Sequence, residues 1–414
     1  MIFVANALVV NGGTTFLIRT CCELQSQGER CAVILLRNEY DSELLAELAS
    51  YAEIIYLENY LVDAGFIFRK QLGIFGFVNW DALIKVISKY TGQIHVMGVL
   101  GLIFSLRLIK KINNKTITVG IYHQNEFLYS GIPFYFASEV LRLFRLIPSE
   151  NIIFFNESTR NNYEKFYSKK YSSSIVTPIG IKIRENGCLY NNESCKIVSI
   201  GNLVNFKTYN RHIIELMPDL LIKYPNVSYH IYGAGVEELN LRRLVEKLNV
   251  GNSVHFNGVI PYSNFDNVVS DAALFVGSGT SLIEAAALGV PALIGIESIT
   301  TSETYGFLCD IKGLSYNENI AEIPKKSMKN LIEELFDNPK FRSEISIACK
   351  LKSAEFSIVK TAEDLIKLNK YAIPVSKVFP WSYFLKLFFS FMLLVASARI
   401  GMVAPFNQRR GQSF

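Results

Sequence analysis

Residues 271–295, DAALFVGSGTSLIEAAALGVPALIG, constrain the chain more than any other stretch. A short apolar run at 273–276 is of strand length and is broken by Gly277-Ser278-Gly279. Residues 280–288 are good helix formers, closed by Gly289 and the stop Val290-Pro291, and a buried strand resumes at Ala292. A turn of small residues running into a helix leaves backbone N–H groups free at the positive end of the helix dipole, which suits a phosphate. Glu284, one turn in, is placed to reach past the phosphates to a sugar hydroxyl. The same residues fit a capping box equally well, with Ser281 as the cap and Glu284 reaching back to it. On this stretch alone both readings stand.

At 414 residues the chain exceeds one ordinary core, so two domains are expected. Hydrophobic residues make up 50% and charged residues 19%, a globular balance and not a disordered one. A net charge of +5 is mild for this length; it admits an anionic ligand or a membrane surface and does not argue for nucleic acid. The 7 cysteines, at 21, 22, 31, 188, 195, 309 and 349, form no CxxC pair, which excludes a zinc knuckle or disulfide framework and points to free thiols in a reducing compartment. Cys309, beside Asp310, is filler by this reading. The start, MIFVANALVVNGG, lacks a basic region and a cleavage site, so it is expected to be a strand in a cytoplasmic protein.

In chain order, residues 2–10 are apolar, Asn11-Gly12-Gly13-Thr14-Thr15 turns, and a helix is expected over 16–27, stopped by Gly28, before a strand at 31–36. Such a unit predicts a parallel sheet with helices on its faces. Gly12-Gly13 lets a ligand approach the backbone, although a simple tight turn explains the pair as well. Strands follow at 53–57, 94–99, 116–122 and 151–155. Residues 60–80, with Arg69 and Lys70, and 132–147, with Arg142 and Arg145, are aromatic-rich; they suit the core, and together also a half that rests against lipid. The strand at 116–122 runs into His123-Gln124-Asn125-Glu126, a polar cluster at a strand's carboxyl end, where ligands of open α/β sheets sit. His95, His230 and His255 fall within strands, where satisfied structural histidines are expected. Past a polar stretch at 184–194, strands at 196–200, 228–232, 254–256 and 273–276 each end at or near glycine: Gly201, Gly233-Ala234-Gly235, Gly258 and Gly277.

With these motifs in order, the chain resembles family-4 type glycosyltransferases (glycosyl transferases group 1) of bacterial surface polysaccharide synthesis. The resemblance implies a GT-B fold: α/β, two Rossmann-like doubly wound domains facing across a cleft, here with an apolar C-terminal helical tail. The expected boundaries are 1–183 for an acceptor-binding domain, 184–194 for a linker, 195–372 for a nucleotide-sugar-binding domain, and 373–414 for the tail. Gly201-Asn202-Leu203-Val204-Asn205-Phe206-Lys207 is similar to the family's G-R-x-x-x-x-K element, with Asn202 at the arginine's place and Lys207 as the cation on the donor diphosphate. Gly233-Ala234-Gly235 is similar to its G-x-G, and Pro178-Ile179-Gly180-Ile181 to the P-N-G-V/I ahead of the linker. Gly279, Thr280 and Ser281 match its phosphate-binding helix start, and Glu284 matches the second of two glutamates, the one that grips the ribose. The first glutamate is absent: Val276 stands there, and the loop is shortened. Gly12, Gly13 and Thr14 match the acceptor-side glycine loop, with Glu126 nearby, and His123 matches a histidine near the donor sugar.

The resemblance therefore implies transfer of a sugar from a nucleotide-sugar donor to a saccharide, expected to be lipid-linked. It implies His123, Lys207 and Glu284 as the catalytic set, no cofactor or metal, and retention of anomeric configuration. A catalytically silent scaffold of a polysaccharide assembly complex and a nucleotide-sugar epimerase remain as alternatives. In the tail, residues 378–404 are strongly apolar but interrupted by Lys386 and Arg399, leaving an uncharged run short of the ~20 residues that span a bilayer. Trp381, Tyr383 and Arg409-Arg410 suit an interfacial helix on the inner face of the cell membrane, and the alternative is a helix packed back on the first domain. A polyprenyl-diphosphate-linked acceptor would fit such a location.

Overall fold

Apolar runs of strand length, buried on both faces and spaced by helices, dictate parallel sheets between helical layers. The computed structural model describes residues 1–9, 11–62, 72–112, 115–184, 195–375 and 379–403. Arg69, Lys70, Cys188, Arg409, Arg410 and the expected linker beyond residue 184 lie outside them. Two units emerge, Met1–Pro178 with the described residues from Ile358 to Val403, and Ile179–Ser357.

The first unit begins with β1 (Ile2–Ala5), α1 (Gly12–Ser26), β2 (Cys31–Leu35), α2 (Ser42–Ala49) and β3 (Ala52–Tyr56). It continues through α3 (Trp80–Ile87), β4 (Ile94–Met97), α4 (Val99–Ile109), β5 (Ile117–Ile121), α5 (Tyr135–Arg145), β6 (Ile152–Phe154), α6 (Glu157–Tyr167) and β7 (Ile175–Val176). The strands pair in parallel in the order β3-β2-β1-β4-β5-β6-β7. This is a doubly wound sheet whose direction of winding reverses between β1 and β4.

Three boundaries differ from the sequence expectation by more than one residue. β1 stops at Ala5, and the chain beyond it makes only a bridge, Leu8 to Tyr40. α1 starts at Gly12, so Gly12 and Gly13 are its first turn and not a loop. Asn11 caps it, its side-chain oxygen accepting the Thr14 N–H at 3.0 Å. The strand expected to reach residue 99 ends at Met97 because Gly98, at φ 89°, turns the chain into α4.

The second unit contains β8 (Lys196–Ile200), α7 (Tyr209–Lys223), β9 (Ser228–Tyr232), α8 (Glu238–Lys247), β10 (Val254–Phe256), α9 (Phe265–Val269) and β11 (Leu274–Gly277). Then come α10 (Thr280–Ala287), β12 (Ala292–Ile294), β13 (Glu303–Thr304), β14 (Lys326–Ser327), α11 (Met328–Asp337) and α12 (Pro339–Ser353). Its main sheet is parallel, β10-β9-β8-β11-β12, and reverses between β8 and β11. β13 and β14 form a small antiparallel pair.

The last two helices, α13 (Ile358–Tyr371) and α14 (Trp381–Arg399), belong to the first unit. For α13 this corrects the boundary at 372. Thr177 donates to Asp364 at 2.8 Å, Thr361 to the Pro178 carbonyl at 2.9 Å, and Asn369 accepts the Gln93 N–H at 3.1 Å. Thr177, Thr361, Asp364 and Gln93 are buried, and buried polar groups hold an element where their partners are.

α14 packs on α5, with Tyr383, Phe384 and Leu387 in the first unit's core. Tyr383 Oη donates to Glu139 Oε2 at 2.8 Å, and Ser390 Oγ accepts the Phe136 N–H at the same distance. Arg142, one of the two arginines on the apolar α5, lies over the rings of Phe379 and Tyr383 and pairs with Glu139 at 2.6 Å. The opposite face leaves Phe389 63% and Leu393 60% exposed. The helix is long and apolar enough to cross a membrane by length and composition.

Candidate functional site

In an open α/β sheet the strands on either side of a reversal send their chains apart, opening a crevice at their carboxyl ends. In the second unit β8 and β11 flank that point. They deliver Gly201 and the 277–281 turn to one edge, although the two lie far apart in sequence.

Direct bonds join them. Ser281 Oγ donates to the Ile200 carbonyl at 2.9 Å, and Ser199 Oγ to the Val276 carbonyl at 2.6 Å. The Ser298 N–H reaches the Phe206 carbonyl at 2.7 Å, fastening the 201–207 loop from the other side. Ser281 is therefore not a helix cap. α10 starts at Thr280 with Gly279 as its N-cap, at φ 71°, and no side chain caps it. The capping-box alternative fails on this geometry. Glu284 sits mid-helix and is only 2% exposed.

Lys207 folds back over the β8 turn: its Nζ lies 3.0 Å from where a Cβ on Gly201 would stand. Gly201 itself has φ 154°, a backbone that favours glycine. Asn202, at the place of the family's arginine, is exposed.

Gly233 and Gly235 serve the site indirectly. A Cβ on Gly233 would meet the Gly201 carbonyl oxygen at 2.0 Å, and one on Gly235 the Leu203 oxygen at 2.1 Å. The two loops are laced by Gly201 N–H to the Tyr232 carbonyl (2.9 Å) and Leu203 N–H to the Ala234 carbonyl (3.0 Å). Both glycines are thus needed for one backbone to lie on another. Val276, where the first glutamate was expected, is a fully buried residue of β11 packed in the core. No carboxylate at that position would reach solvent.

A side chain that sequence reasoning missed reaches the same unit edge. Arg184 Nε and Nη2 donate to the Asp266 carboxylate at 2.8 and 2.7 Å, and Nη2 lies 3.9 Å from Glu284 Oε2. Nothing in its local sequence pattern, the second of two cations after Ile181 with Lys182, marks it.

In the first unit the corresponding reversal lies between β1 and β4. Gly12 and Gly13 begin α1 just after β1. Thr14 is buried, its hydroxyl donating to the Val9 carbonyl at 2.6 Å, so it braces the helix start. After β5, the Tyr122 N–H donates to Glu126 Oε2 at 2.8 Å, while Glu126 Oε1 lies 3.4 Å from the Cβ position of Gly98. His123 Nδ1 accepts the Asn125 N–H at 3.2 Å, which leaves Nε2 to carry the proton of the neutral ring. Phe16 of α1 stands edge-on to Tyr122, ring centroids 5.4 Å apart, placing the α1 start and the β5 end side by side.

His95, His230 and His255 are structural. His95 is fully buried between Thr118 Oγ1 (2.9 Å) and Tyr122 Oη (2.8 Å), and burial lowers its pKa to about 3. His230 and His255 pair across β9 and β10 with ring centroids 4.7 Å apart; desolvation, then the charge of His255, lowers His230 to about 4. Among the described residues, Cys21, Cys22, Cys31, Cys195, Cys309 and Cys349 are free, and no group of three or more His, Cys, Asp or Glu is placed to hold a metal.

Comparison with known proteins agrees with this architecture. Residues 188–350 match the family model "Glycosyl transferases group 1", and the resemblance carried by the motifs is thereby shown. A Haemophilus influenzae protein described as an uncharacterized glycosyltransferase is 25% identical over 224 residues, 52% of this chain and 60% of its own length. This chain thus spans less than two thirds of that relative. Among solved structures, HepE of Anabaena in complex with UDP and glucose superposes with a TM-score of 0.63 at 14% identity, over 88% of this chain and 98% of that one. TarM of S. aureus, in a complex that includes UDP, gives 0.62 at 12% identity, over 89% and 98%. At these identities the likeness shows the fold, which is GT-B.

Proposed function

We propose that the chain is a glycosyltransferase that takes a sugar from a nucleotide-sugar donor held on the second unit. The observation that carries this reading is the joining of Gly201–Lys207 and Gly279–Glu284 at the β8/β11 reversal, by the Ser281–Ile200 bond. An uncapped helix start, a lysine folded over the adjacent turn and an enclosed carboxylate together match a nucleoside diphosphate in charge and order. The Thr280 and Ser281 N–H groups and Lys207 Nζ stabilise the leaving diphosphate as its charge develops, which is where binding energy lowers the barrier. Glu284 accepts the ribose hydroxyls. Gly201, Gly233, Gly235 and Gly279 keep the backbone open and in register, and Asn202 is a polar rim residue.

The acceptor is assigned to the first unit, with Gly12, Gly13 and Thr14 at the α1 start and His123 and Glu126 after β5. His123, with its proton on Nε2, orients a hydroxyl, and Glu126 holds the loop that presents it. The reading extends to a saccharide carried on a polyprenyl diphosphate, with the exposed face of α14 against the inner membrane surface. Retention of configuration and independence of metal and cofactor complete it.

Calorimetry with UDP, GDP and dTDP tests the donor site, followed by a panel of their sugars against membrane extract with products identified by mass. Binding lost in both Glu284→Ala and Lys207→Ala, with the fold intact, is the expected result. Unchanged affinity in both removes the site. No binding of any nucleotide favours the silent scaffold, for which the exposed Asn202 and the buried Val276 speak.

A further inference from the structure

The three charged side chains Asp266, Arg184 and Glu284 form a brace that the donor motifs do not account for. Arg184 comes from the segment after Ile181, which is pinned by a bridge to Ser357; Asp266 comes from α9, and Glu284 from the middle of α10. The two bonds to Asp266 are a fork-on-fork pairing that fixes the plane of the guanidinium. Phe265 adds a ring 5.8 Å from it.

The burial is unequal. Asp266 is 48% exposed at its side chain, whereas Glu284 is 2%. A half-exposed carboxylate is solvated without a partner; an enclosed one, as an ion, needs a compensating charge. The asymmetry makes Asp266 the strut, Arg184 the arm, and Glu284 the group being held. Burial opposes the Arg184 charge, but the Asp266 hydrogen bond and the nearby Tyr262, Glu284 and Asp266 charges outweigh it, so its pKa is raised. Its Nη1 is buried and has no hydrogen-bond partner among the described residues, so the guanidinium keeps an unused donor.

We propose that Arg184 is a positioning residue of the donor site: braced by Asp266, it fixes the ionised Glu284 carboxylate in the orientation that accepts both ribose hydroxyls of a nucleoside diphosphate. The proposal rests on the assignment of Glu284 made above. It gives the unit a second cation at this edge, on the Glu284 side, where the exposed Asn202 supplies none.

Full-length wild type, R184K, R184Q, D266N, E284Q and the R184Q/E284Q double variant are titrated calorimetrically with UDP and GDP, and with the 2′-deoxy form of whichever binds wild type more tightly. R184Q is expected to bind the ribonucleotide about tenfold more weakly, because the ion pair at 3.9 Å beside the enclosed carboxylate is lost. R184K recovers part of it. Discrimination against the 2′-deoxy form, strong in wild type, collapses in R184Q, and the double variant binds no worse than E284Q alone.

Equal losses from R184Q in both backgrounds, or full ribose discrimination kept in R184Q, make Arg184 a structural ion pair and overturn the proposal. D266N retains the arginine, so it carries the same comparison if R184Q does not fold: discrimination undiminished there overturns it too. Wild-type affinity in E284Q sinks the donor-site reading itself, a result distinct from either.

Discussion

Single residues at the β8/β11 edge do two kinds of work, and the distinction predicts different failures. Lys207 and Glu284 contribute charge, so Lys207→Ala and Glu284→Gln should each weaken nucleotide binding by about tenfold or more, with little change in melting temperature, since charged hydrogen bonds contribute roughly 1.5–3 kcal/mol. Gly235 contributes space. Gly235→Ala puts a methyl against the Leu203 oxygen, 2.1 Å from the ideal Cβ, so the loop must shift. It should lower stability by about 1–3 kcal/mol and weaken nucleotide binding together with it, as read by thermal melts beside calorimetry. His95 predicts a pH dependence. Its pKa falls from the ordinary 6.5 to about 3 in the fold, so the unfolded chain binds the extra proton between those values. Stability from the neutral, doubly bonded ring is present above pH 6.5 and lost as pH falls toward 3, at up to ~1.4 kcal/mol per pH unit. Melts from pH 7 to 4.5 should show a shallower acid slope for His95→Gln than for wild type; equal slopes would remove His95 as a source of acid lability.

At the scale of elements, α14 takes one of the two alternatives left open by its composition, packing back on α5, and leaves an apolar face exposed. One face is core: Tyr383, Phe384 and Leu387 are buried, and Tyr383 bonds Glu139. The other keeps Phe389 and Leu393 outward with Met392 between them. The two faces are separable by mutation. Tyr383→Phe should cost about 1–3 kcal/mol by stripping a partner from the Glu139 carboxylate, whose residue is only 8% exposed, and should leave lipid behaviour alone. Phe389→Glu with Leu393→Glu should leave the melting temperature in place and abolish flotation with anionic vesicles. Each side chain inserted is worth about 1.5–3 kcal/mol. If the double variant floats like wild type, the exposed face does not contact lipid.

On the scale of the molecule, the chain returns to its first unit at Ile358, so the units are not consecutive segments. A protein ending at residue 357 loses α13 and, with it, the partners of Thr177 and Gln93. Calorimetric melting of that truncation should show the first unit's transition lowered or lost while that of the second stays in place. A second-unit transition that moves equally would mean the units do not melt independently. The sheet order of each unit also explains why the candidate donor groups converge. β8 and β11 neighbour each other only because the sheet winds outward in both directions from β8.

Much of this was legible locally. Apolar runs bounded by glycine located the parallel strands of the second unit's main sheet to within a residue or so, because a buried parallel strand demands an unbroken apolar run and its turn demands a residue free of Cβ; the short antiparallel β13 and β14 carry no such run. The resemblance singled out Lys207 and Glu284 by spacing alone. Other features depended on contacts between distant segments. Whether Ser281 caps a helix or ties two loops was decided by the Ile200 carbonyl, contributed by β8. Why Gly233 and Gly235 are glycines was decided by the backbone of a neighbouring loop. The first unit's claim on α13 rested on Asp364 and Asn369 finding partners there, and the place of Arg184 on carboxylates from two other helices. Local sequence sets backbone preference and apolar period. Which buried polar group meets which partner is a property of three-dimensional packing, and at this site those meetings determine the geometry.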